Sequence, residues 1–224
     1  MNHIGIIPAR GGSKRLPRKN IRLCAGRPLL YWTAAAALGS GLHQTFLSTD
    51  DEEIASLGRD LGLDIIRRPG VLAGDTTPMV SVLGHAWEQL TLNGMTIDSL
   101  VVLQPTSPLR LASHIDGAVS LYETSQAETV VSITDITSNV GPEKFMRIDS
   151  RGEVTPTGEK RGENVVMRNG PAVLVIAPRV IERGSLYGNP TFGYRMERQY
   201  SIDIDDDIDF TLAELLLLRR QGKC

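Results

Sequence analysis

The sequence has few of the residues that build disulfide frameworks or thiolate metal clusters. Its 224 residues include only two cysteines, Cys24 and Cys224, which lie far apart in the chain. This usage argues against a structural disulfide and against a thiolate metal site. Four histidines are scattered without a metal-ligand spacing, so we expect them to be structural.

Long apolar runs and an excess of one charge are also missing. No apolar segment approaches the ~20 residues that a membrane-spanning helix needs, and no secretory leader precedes the first predicted strand. We therefore expect a cytoplasmic protein with no membrane partner. Because the formal net charge is only -2, the whole molecule offers no field that would attract nucleic acid.

The N-terminal stretch combines an apolar run with a basic loop. Residues 4–7 are typical of a short buried strand. Gly11 and Gly12 follow, and glycine lets a backbone approach a ligand closely. Five cations lie within ten positions: Arg10, Lys14, Arg15, Arg18 and Lys19. Backbone N–H groups with fixed cations suit a polyphosphate, although a solvated basic surface loop is the alternative.

Strand and helix patterns alternate over the first 133 residues. Predicted strands cover residues 4–7, 44–49, 64–67, 99–104 and 129–133. Predicted helices cover residues 28–39, 50–63, 77–92 and 113–124, with Thr77 and Ser113 as N-caps. This alternation predicts one domain with an α/β fold, a Rossmann-like three-layer arrangement around a mostly parallel sheet.

The alternation stops at residues 135–168, which are polar and contain several glycines. We interpret this stretch as an excursion from the sheet, with a short strand at residues 145–148. Strands at residues 172–176 and 200–204 and a helix at residues 206–221 are predicted to follow.

Three marked loops come directly after predicted strands, at residues 10–19, 68–77 and 104–110. In parallel α/β sheets, ligands bind beyond the carboxyl ends of the strands. We therefore expect the three loops to converge on one cleft.

Two aspartates close the predicted strand at residues 200–204. Alternate strand residues point the same way, so Asp203 and Asp205 are expected to share a face. Two carboxylates on one face suit a hard divalent cation, Mg²⁺ or Mn²⁺, and a solvated acidic turn is the alternative. Asp206, Asp207 and Asp209 lie where a helix begins, and acids there are stabilised by the helix dipole.

Several motifs together resemble the sugar-acid cytidylyltransferases, whose best-known members act on acylneuraminate (sialic) acids. The two most specific are residues 8–14 with Lys19 and Asn20, and the seven residues from Gln104 to Arg110. Residues 201–205, Ser-Ile-Asp-Ile-Asp, match a third motif. Two weaker matches lie around Arg68 and Asp75 and at residues 168–170. The resemblance covers nearly the whole chain.

The resemblance implies transfer of CMP from CTP to the anomeric hydroxyl of a 2-keto sugar acid, with release of pyrophosphate. It implies Arg10, Lys19 and Asp205 as catalytic residues and Asp203 and Asp205 as the metal ligands. The nucleotide would be bound by Arg10, Gly11, Gly12, Ser13, Lys14, Lys19, Asn20, Arg68, Asp75 and Thr76. The sugar acid would be bound by Gln104, Thr106, Ser107, Arg110, Arg168 and Asn169. The excursion is expected to make a homodimer.

Two other classes of function stay open at this point. A non-catalytic module of the same fold would bind CTP without turning it over, which the paired aspartates argue against. An enzyme using a different acceptor or nucleotide would share most of these motifs. The acceptor itself, whether sialic, legionaminic, pseudaminic, Kdo-type or another acid, is left undecided by the residues.

Overall fold

The fold was analysed in a computed structural model that describes residues 1–136, 141, 144–158 and 165–223. The helices are α1 Leu29–Leu38, α2 Glu52–Asp60, α3 Met79–Leu92, α4 Ala112–Ser125, α5 Pro178–Glu182 and α6 Asp207–Arg220. The strands are β1 His3–Pro8, β2 Leu23–Cys24, β3 Arg27–Pro28, β4 Gln44–Thr49, β5 Asp64–Arg67, β6 Ser99–Val102, β7 Thr129–Asp135, β8 Met146–Ile148, β9 Val154–Pro156, β10 Val166–Arg168, β11 Leu174–Ile176 and β12 Thr191–Arg195.

Eight of these strands form one sheet in the order β10-β7-β11-β6-β1-β4-β5, with β12 paired to β7. The strands β6, β1, β4 and β5 are parallel, and β12 is parallel to β7. Strand β11 runs antiparallel between β6 and β7, and β10 is antiparallel to β7. The prediction of a mostly parallel α/β sheet is confirmed.

Apolar residues cover both faces of the sheet, which makes three layers. Along β1, Ile4 and Ile6 pack with Leu83 of α3 on one face. Ile7 points to the opposite face, where it belongs to the cluster that contains Leu30 of α1. The alternation of side chains along a strand therefore gives this short apolar run two buried faces.

A third apolar cluster lies outside the sheet, next to its carboxyl edge. It contains Leu16 of the basic loop, Leu109, Ile204 and Leu217 of α6, each at most 2% exposed. Helix α6 thus packs under three loops that are distant in sequence. Burial of these side chains fixes the loops relative to one another.

The predicted strand at residues 200–204 is wrong. Residues Arg198–Tyr200 form a short 3₁₀ helix, and residues 201–204 are irregular. The Ile204 N–H donates to the Thr106 carbonyl at 2.8 Å, so this segment is held by a loop instead of by a strand ladder.

The N-cap predictions were also wrong, because α3 begins after Pro78 and α4 after Leu111. Neither Pro78 nor Leu111 has a side chain that accepts from the helix as serine or threonine would. Strand β6 ends at Val102 and β11 begins at Leu174, two residues inside their predicted bounds. Strand β12 and helix α5 had no counterpart among the predicted elements.

The predicted excursion contains the hairpin β8–β9, which confirms a strand near residues 145–148. Apolar side chains on this hairpin are exposed, including Met146, Ile148 and Val154. The rest of the excursion prediction falls in part on residues 137–140, 142–143 and 159–164, which lie outside the described residues.

Within the ranges given above, no helix has the length and apolar character needed to cross a membrane. A cytoplasmic location stays a prediction.

Candidate active site

The loops that follow β1, β5 and β6 meet at the carboxyl edge of the sheet, as predicted. Between them lies a cavity of about 150 Å³. Its lining residues are Pro8, Arg10, Gly12, Ser13, Lys19, Asn20, Met79, Gln104, Pro105 and Thr106. A second cavity of about 370 Å³ shares Arg10, Ser13 and Lys19 with the first and extends to Asp75 and Asp205. One open cleft therefore joins most of the predicted site residues.

The basic loop keeps its shape through contacts at both of its ends. The Asn20 side-chain amide donates to the Arg10 carbonyl at 3.0 Å, and the Gly11 N–H donates to Asp50 Oδ1 at 3.1 Å. A Cβ on Gly11 would lie 2.6 Å from Asp51 Oδ2, whereas one on Gly12 would meet open space. Gly11 is therefore needed for packing against the start of α2, and Gly12 is the glycine that lines the cleft.

Lys19 connects the basic loop to the segment that carries the predicted metal ligands. Its Nζ donates to the Ile204 carbonyl at 2.7 Å. Burial lowers the pKa of Lys19, and the nearby carboxylates of Asp203 and Asp205 oppose that shift. A partly buried ammonium group therefore lies beside two acids and opens onto the cleft.

Asp203 and Asp205 occupy different environments, although both lie near Lys19. Asp203 Oδ1 is buried without a hydrogen-bond partner in the described part of the chain. Burial raises the pKa of Asp203, while the nearby ammonium group of Lys19 acts in the opposite direction. The Asp205 side chain is 71% exposed and pairs with Arg15 at 3.6 Å. The two acids flank the cleft without the strand alternation that the sequence predicted.

Asp206 and Asp207, which follow in the sequence, make contacts outside the cleft. Asp206 caps α6, because its Oδ1 accepts from the N–H groups of Ile208 and Asp209. Asp207 pairs with Arg22 at 2.7 Å. Across the described ranges, no cluster of three or more His, Cys, Asp or Glu side chains could hold a metal by itself. Any cation bound here would need further oxygen ligands, from water or from a substrate.

Two predicted phosphate-binding cations are paired with an acid of the facing loop. Asp75 contacts Arg10 Nη1 at 2.7 Å and Lys14 Nζ at 2.5 Å. These ion pairs lower the pKa of Asp75, with the hydrogen bond from Lys14 as the largest cause. The resemblance implied Asp75 as a nucleotide-binding residue, and here its carboxylate contacts the two cations that were predicted to bind phosphate.

We predict that Asp75→Asn will bind CTP more tightly than the wild type. The carboxylate competes with phosphate for Arg10 and Lys14, and solvent screens both of these exposed ion pairs, so the expected effect is modest. Isothermal titration at low ionic strength should show a roughly two- to tenfold lower Kd, with the difference shrinking in high salt. Glu53→Gln is the matched control, since Glu53 pairs with Arg18 away from the cleft. Weaker CTP binding by Asp75→Asn would instead support a direct contact with the nucleotide.

Several predicted site residues lie beneath the cleft surface. Arg68 is 7% exposed and donates to the Ser48 carbonyl at 2.7 Å, at the end of β4. Asn169 is 2% exposed; it accepts from Ser132 Oγ at 2.6 Å and donates to Ser201 Oγ at 2.9 Å. These side chains hold the backbone that borders the cleft.

The remaining predicted residues differ in exposure. Thr76 is exposed, and Arg168, also exposed, donates to the Tyr187 hydroxyl at 2.7 Å. Met79, in the first turn of α3, lines the cleft although no sequence signal marked it.

Close packing of Gly170 against Ser107 and Asp203 borders the cleft on the side of Gln104. A Cβ on Gly170 would lie 2.9 Å from Ser107 Oγ and 3.4 Å from Asp203 Cγ, and Gly170 has φ +110°. Ser107 Oγ is buried and lacks a partner among the residues described. Glycine is therefore required at position 170 both by its backbone conformation and by space.

The fold and the cleft together define a nucleotide-binding α/β protein with a cationic loop facing an acidic segment. A family model described as "Cytidylyltransferase" matches residues 4–169. The chain belongs to this cytidylyltransferase family. The prediction of a sugar-acid cytidylyltransferase is confirmed at the level of the family.

Two curated relatives illustrate the similarity. The chain is 34% identical to a CMP-N,N'-diacetyllegionaminic acid synthase of Legionella pneumophila, covering 97% of each protein. It is 33% identical to an N-acylneuraminate cytidylyltransferase of Escherichia coli, over 94% of this chain but only 51% of that protein. The chain thus spans about half the length of the latter relative and nearly all of the former.

The fold is also similar to a solved structure. A CMP:2-keto-3-deoxy-manno-octonic acid synthetase complexed with CTP aligns with a TM-score of 0.72 over 99% of this chain and 100% of that one. Sequence identity is 16%, so this likeness concerns the fold alone.

Proposed function

We propose that this protein transfers CMP from CTP to the anomeric hydroxyl of a nonulosonic or related 2-keto sugar acid, with release of pyrophosphate. The observation that carries the proposal is the hydrogen bond from Lys19 to Ile204, which places the basic loop against the segment of Asp203 and Asp205. The names of the relatives support the choice of CTP and of a sugar acid.

The cleft suits phosphoryl chemistry by positioning and by charge neutralisation. Its lining includes Arg10, Ser13, Lys14, Arg15 and Lys19, so a triphosphate bound there would face four cations and a hydroxyl. Gln104 and Thr106 lie on the other side of the smaller cavity, where the acceptor would sit. In-line attack of the sugar hydroxyl on the α-phosphorus needs no covalent enzyme intermediate. Alignment of the two reactants and neutralisation of the phosphate charge supply most of the catalysis.

We further propose that Asp203 and Asp205 hold Mg²⁺ together with phosphate oxygens. The donor set fits, since carboxylates suit this cation and Asp203 Oδ1 is a buried acceptor with no partner in the residues described. When bound, Mg²⁺ would offset the negative charge on the phosphates. Lys19 holds the Ile204 carbonyl between the two acids and so fixes the backbone from which both side chains project.

A pyrophosphate-release screen over four nucleoside triphosphates and a panel of sugar acids tests the proposal. We expect release with CTP and a nonulosonic acid, and little with the other nucleotides. CTP binding without turnover on any acid would favour the non-catalytic module. Release with another nucleotide or another class of acceptor would favour the second rival function.

We propose that the chain forms a homodimer through the hairpin β8–β9. Exposed Met146, Ile148 and Val154 give this hairpin an apolar surface, and such patches mark protein interfaces. Sedimentation at micromolar concentration should give twice the chain mass of 24.4 kDa. Ile148→Lys should shift the distribution towards the monomer, whereas a wild type that stays monomeric throughout would contradict the proposal.

A further inference from the structure

Arg110 is the largest fully buried side chain that carries a charge. It is 1% exposed and lies at the end of the Gln104 to Arg110 motif. Burial lowers the pKa of its guanidinium to about 9, and no carboxylate contributes to that shift. The group is therefore still charged at neutral pH. A buried charge without an opposite charge is costly, so its hydrogen bonds must account for its presence.

The guanidinium ties two separate segments of backbone together. Its Nε donates to the Ala172 carbonyl at 2.8 Å, and its Nη2 donates to the Gln104 carbonyl at 2.8 Å. Thr33 Oγ1 of α1 lies 3.4 and 3.5 Å from the two Nη atoms. Arginine suits this task because its planar group presents several donors in fixed directions, whereas lysine has one compact ammonium group.

Both tied segments border the acceptor side of the cleft. The Gln104 side chain lines the cavity. Two residues before Ala172, Gly170 abuts Ser107 and Asp203 so closely that no side chain would fit. A shift of either carbonyl would therefore move Gln104 relative to Asp203. The residues of the basic loop make no contact with this guanidinium among the hydrogen bonds of the described chain.

We propose that Arg110 is a positioning residue for the acceptor, acting through the backbone of Gln104 and Ala172 and not by touching the sugar acid. This inference rests on the proposed function. In this proposal, the buried Arg110 side chain aligns the acceptor side of the cleft with the segment of Asp203 and Asp205. CTP is bound by the basic loop. Misplacement by about 1 Å of a positioned reactant costs as much as 10²-fold in rate.

The test compares Arg110→Lys with the wild type in steady-state kinetics and in CTP titration. We expect kcat/KM for the sugar acid to fall about tenfold or more, while the Kd for CTP stays within about twofold. Arg220→Met is the matched control. Arg220 also donates to a carbonyl of this motif, that of Leu109 at 3.3 Å, but from outside the cleft. Its removal should lower the melting temperature without a selective loss on the acceptor.

If Arg110→Lys does not fold, the positioning role can still be tested by a measurement on the wild type. In ¹⁵N-arginine NMR of the wild type in EDTA, where the Mg²⁺-dependent transfer is expected to stop, the protected Nε–H of Arg110 should shift when the sugar acid saturates the CTP-bound protein. An unchanged signal, or a folded Arg110→Lys with wild-type kcat/KM for the acid, would overturn the positioning role alone. A wild type that releases no pyrophosphate with any acid would instead overturn the proposed function.

Discussion

Asp203→Asn is expected to abolish Mg²⁺-dependent pyrophosphate release. The buried Oδ1 of Asp203 has no partner among the described residues, so it is free to serve as a ligand of the proposed cation. An asparagine keeps the size of the side chain but loses the negative charge. Removal of one electrostatic contact of this kind costs roughly 10²–10³-fold in kcat. Steady-state pyrophosphate release at saturating CTP measures the loss.

The same substitution should leave the fold intact or make it more stable in chelator. Burial raises the pKa of Asp203. When the pKa of a carboxyl group is higher in the folded state than in the unfolded state, its contribution to stability is fully present below the unfolded-state pKa. That contribution is lost as the pH rises through the folded-state pKa. Above its folded-state pKa the ionised Asp203 therefore weakens the fold, and asparagine removes that penalty. Thermal unfolding in EDTA should give a Tm for Asp203→Asn at or above that of the wild type.

Two comparisons test whether Asp203 and Asp205 are the metal ligands. Asp205→Asn should lose activity as Asp203→Asn does, whereas Asp207→Asn should change it little because Asp207 pairs with Arg22. EDTA should inactivate the wild type, and added Mg²⁺ or Mn²⁺ should restore it. Full activity in excess chelator, or an Asp207 variant as inactive as the Asp205 one, would mean that other groups carry the chemistry.

Lys19→Ala is expected to lower kcat/KM by roughly 10- to 150-fold or more. A charge-assisted hydrogen bond to phosphate contributes about 1.5–3 kcal/mol. The loss has a second source here, since Lys19 also holds the Ile204 carbonyl. The fold should persist, because burial already penalises this ammonium group and lowers its pKa. Kinetics on a variant with a cooperative thermal transition measure the effect.

Arg18→Ala is the matched control within the same loop. Arg18 pairs with Asp51 and Glu53 at the start of α2 and does not line the cleft. Its removal should change kcat/KM only a few-fold. If Lys19→Ala kept near wild-type kcat/KM, or if the two variants lost activity equally, the role given to Lys19 would be wrong.

The parallel part of the sheet could be predicted because its strands are short apolar runs between clear helix patterns. Strands β4 and β5 have their predicted bounds. Residues 200–204 show the same alternation of apolar and polar side chains, yet Ile204 is buried under loops and not in a sheet. The alternation of side chains does not reveal whether the sheet has a free edge strand with which such a segment can pair. Strand β12 was missed because it is short, contains a glycine and consists mostly of exposed residues.

The convergence of the loops followed from the topology of parallel strands, but the roles of single side chains did not. The resemblance implied Arg68 and Arg110 as ligand contacts, and the structure places both under the cleft surface. The pairing of Asp75 with Arg10 depends on how two distant loops approach each other, and the spacing of residues does not encode that distance.

The apolar cluster of Leu16, Leu109, Ile204 and Leu217 has a consequence for synthesis on the ribosome. The basic loop is translated about 200 positions before its packing partners in α6. Domains generally form as units while the chain emerges. A nascent chain can therefore pair β1, β4 and β5 early, yet it gains a complete cleft only when helix α6 has left the exit tunnel. Chains arrested before that helix should be folded in part and inactive.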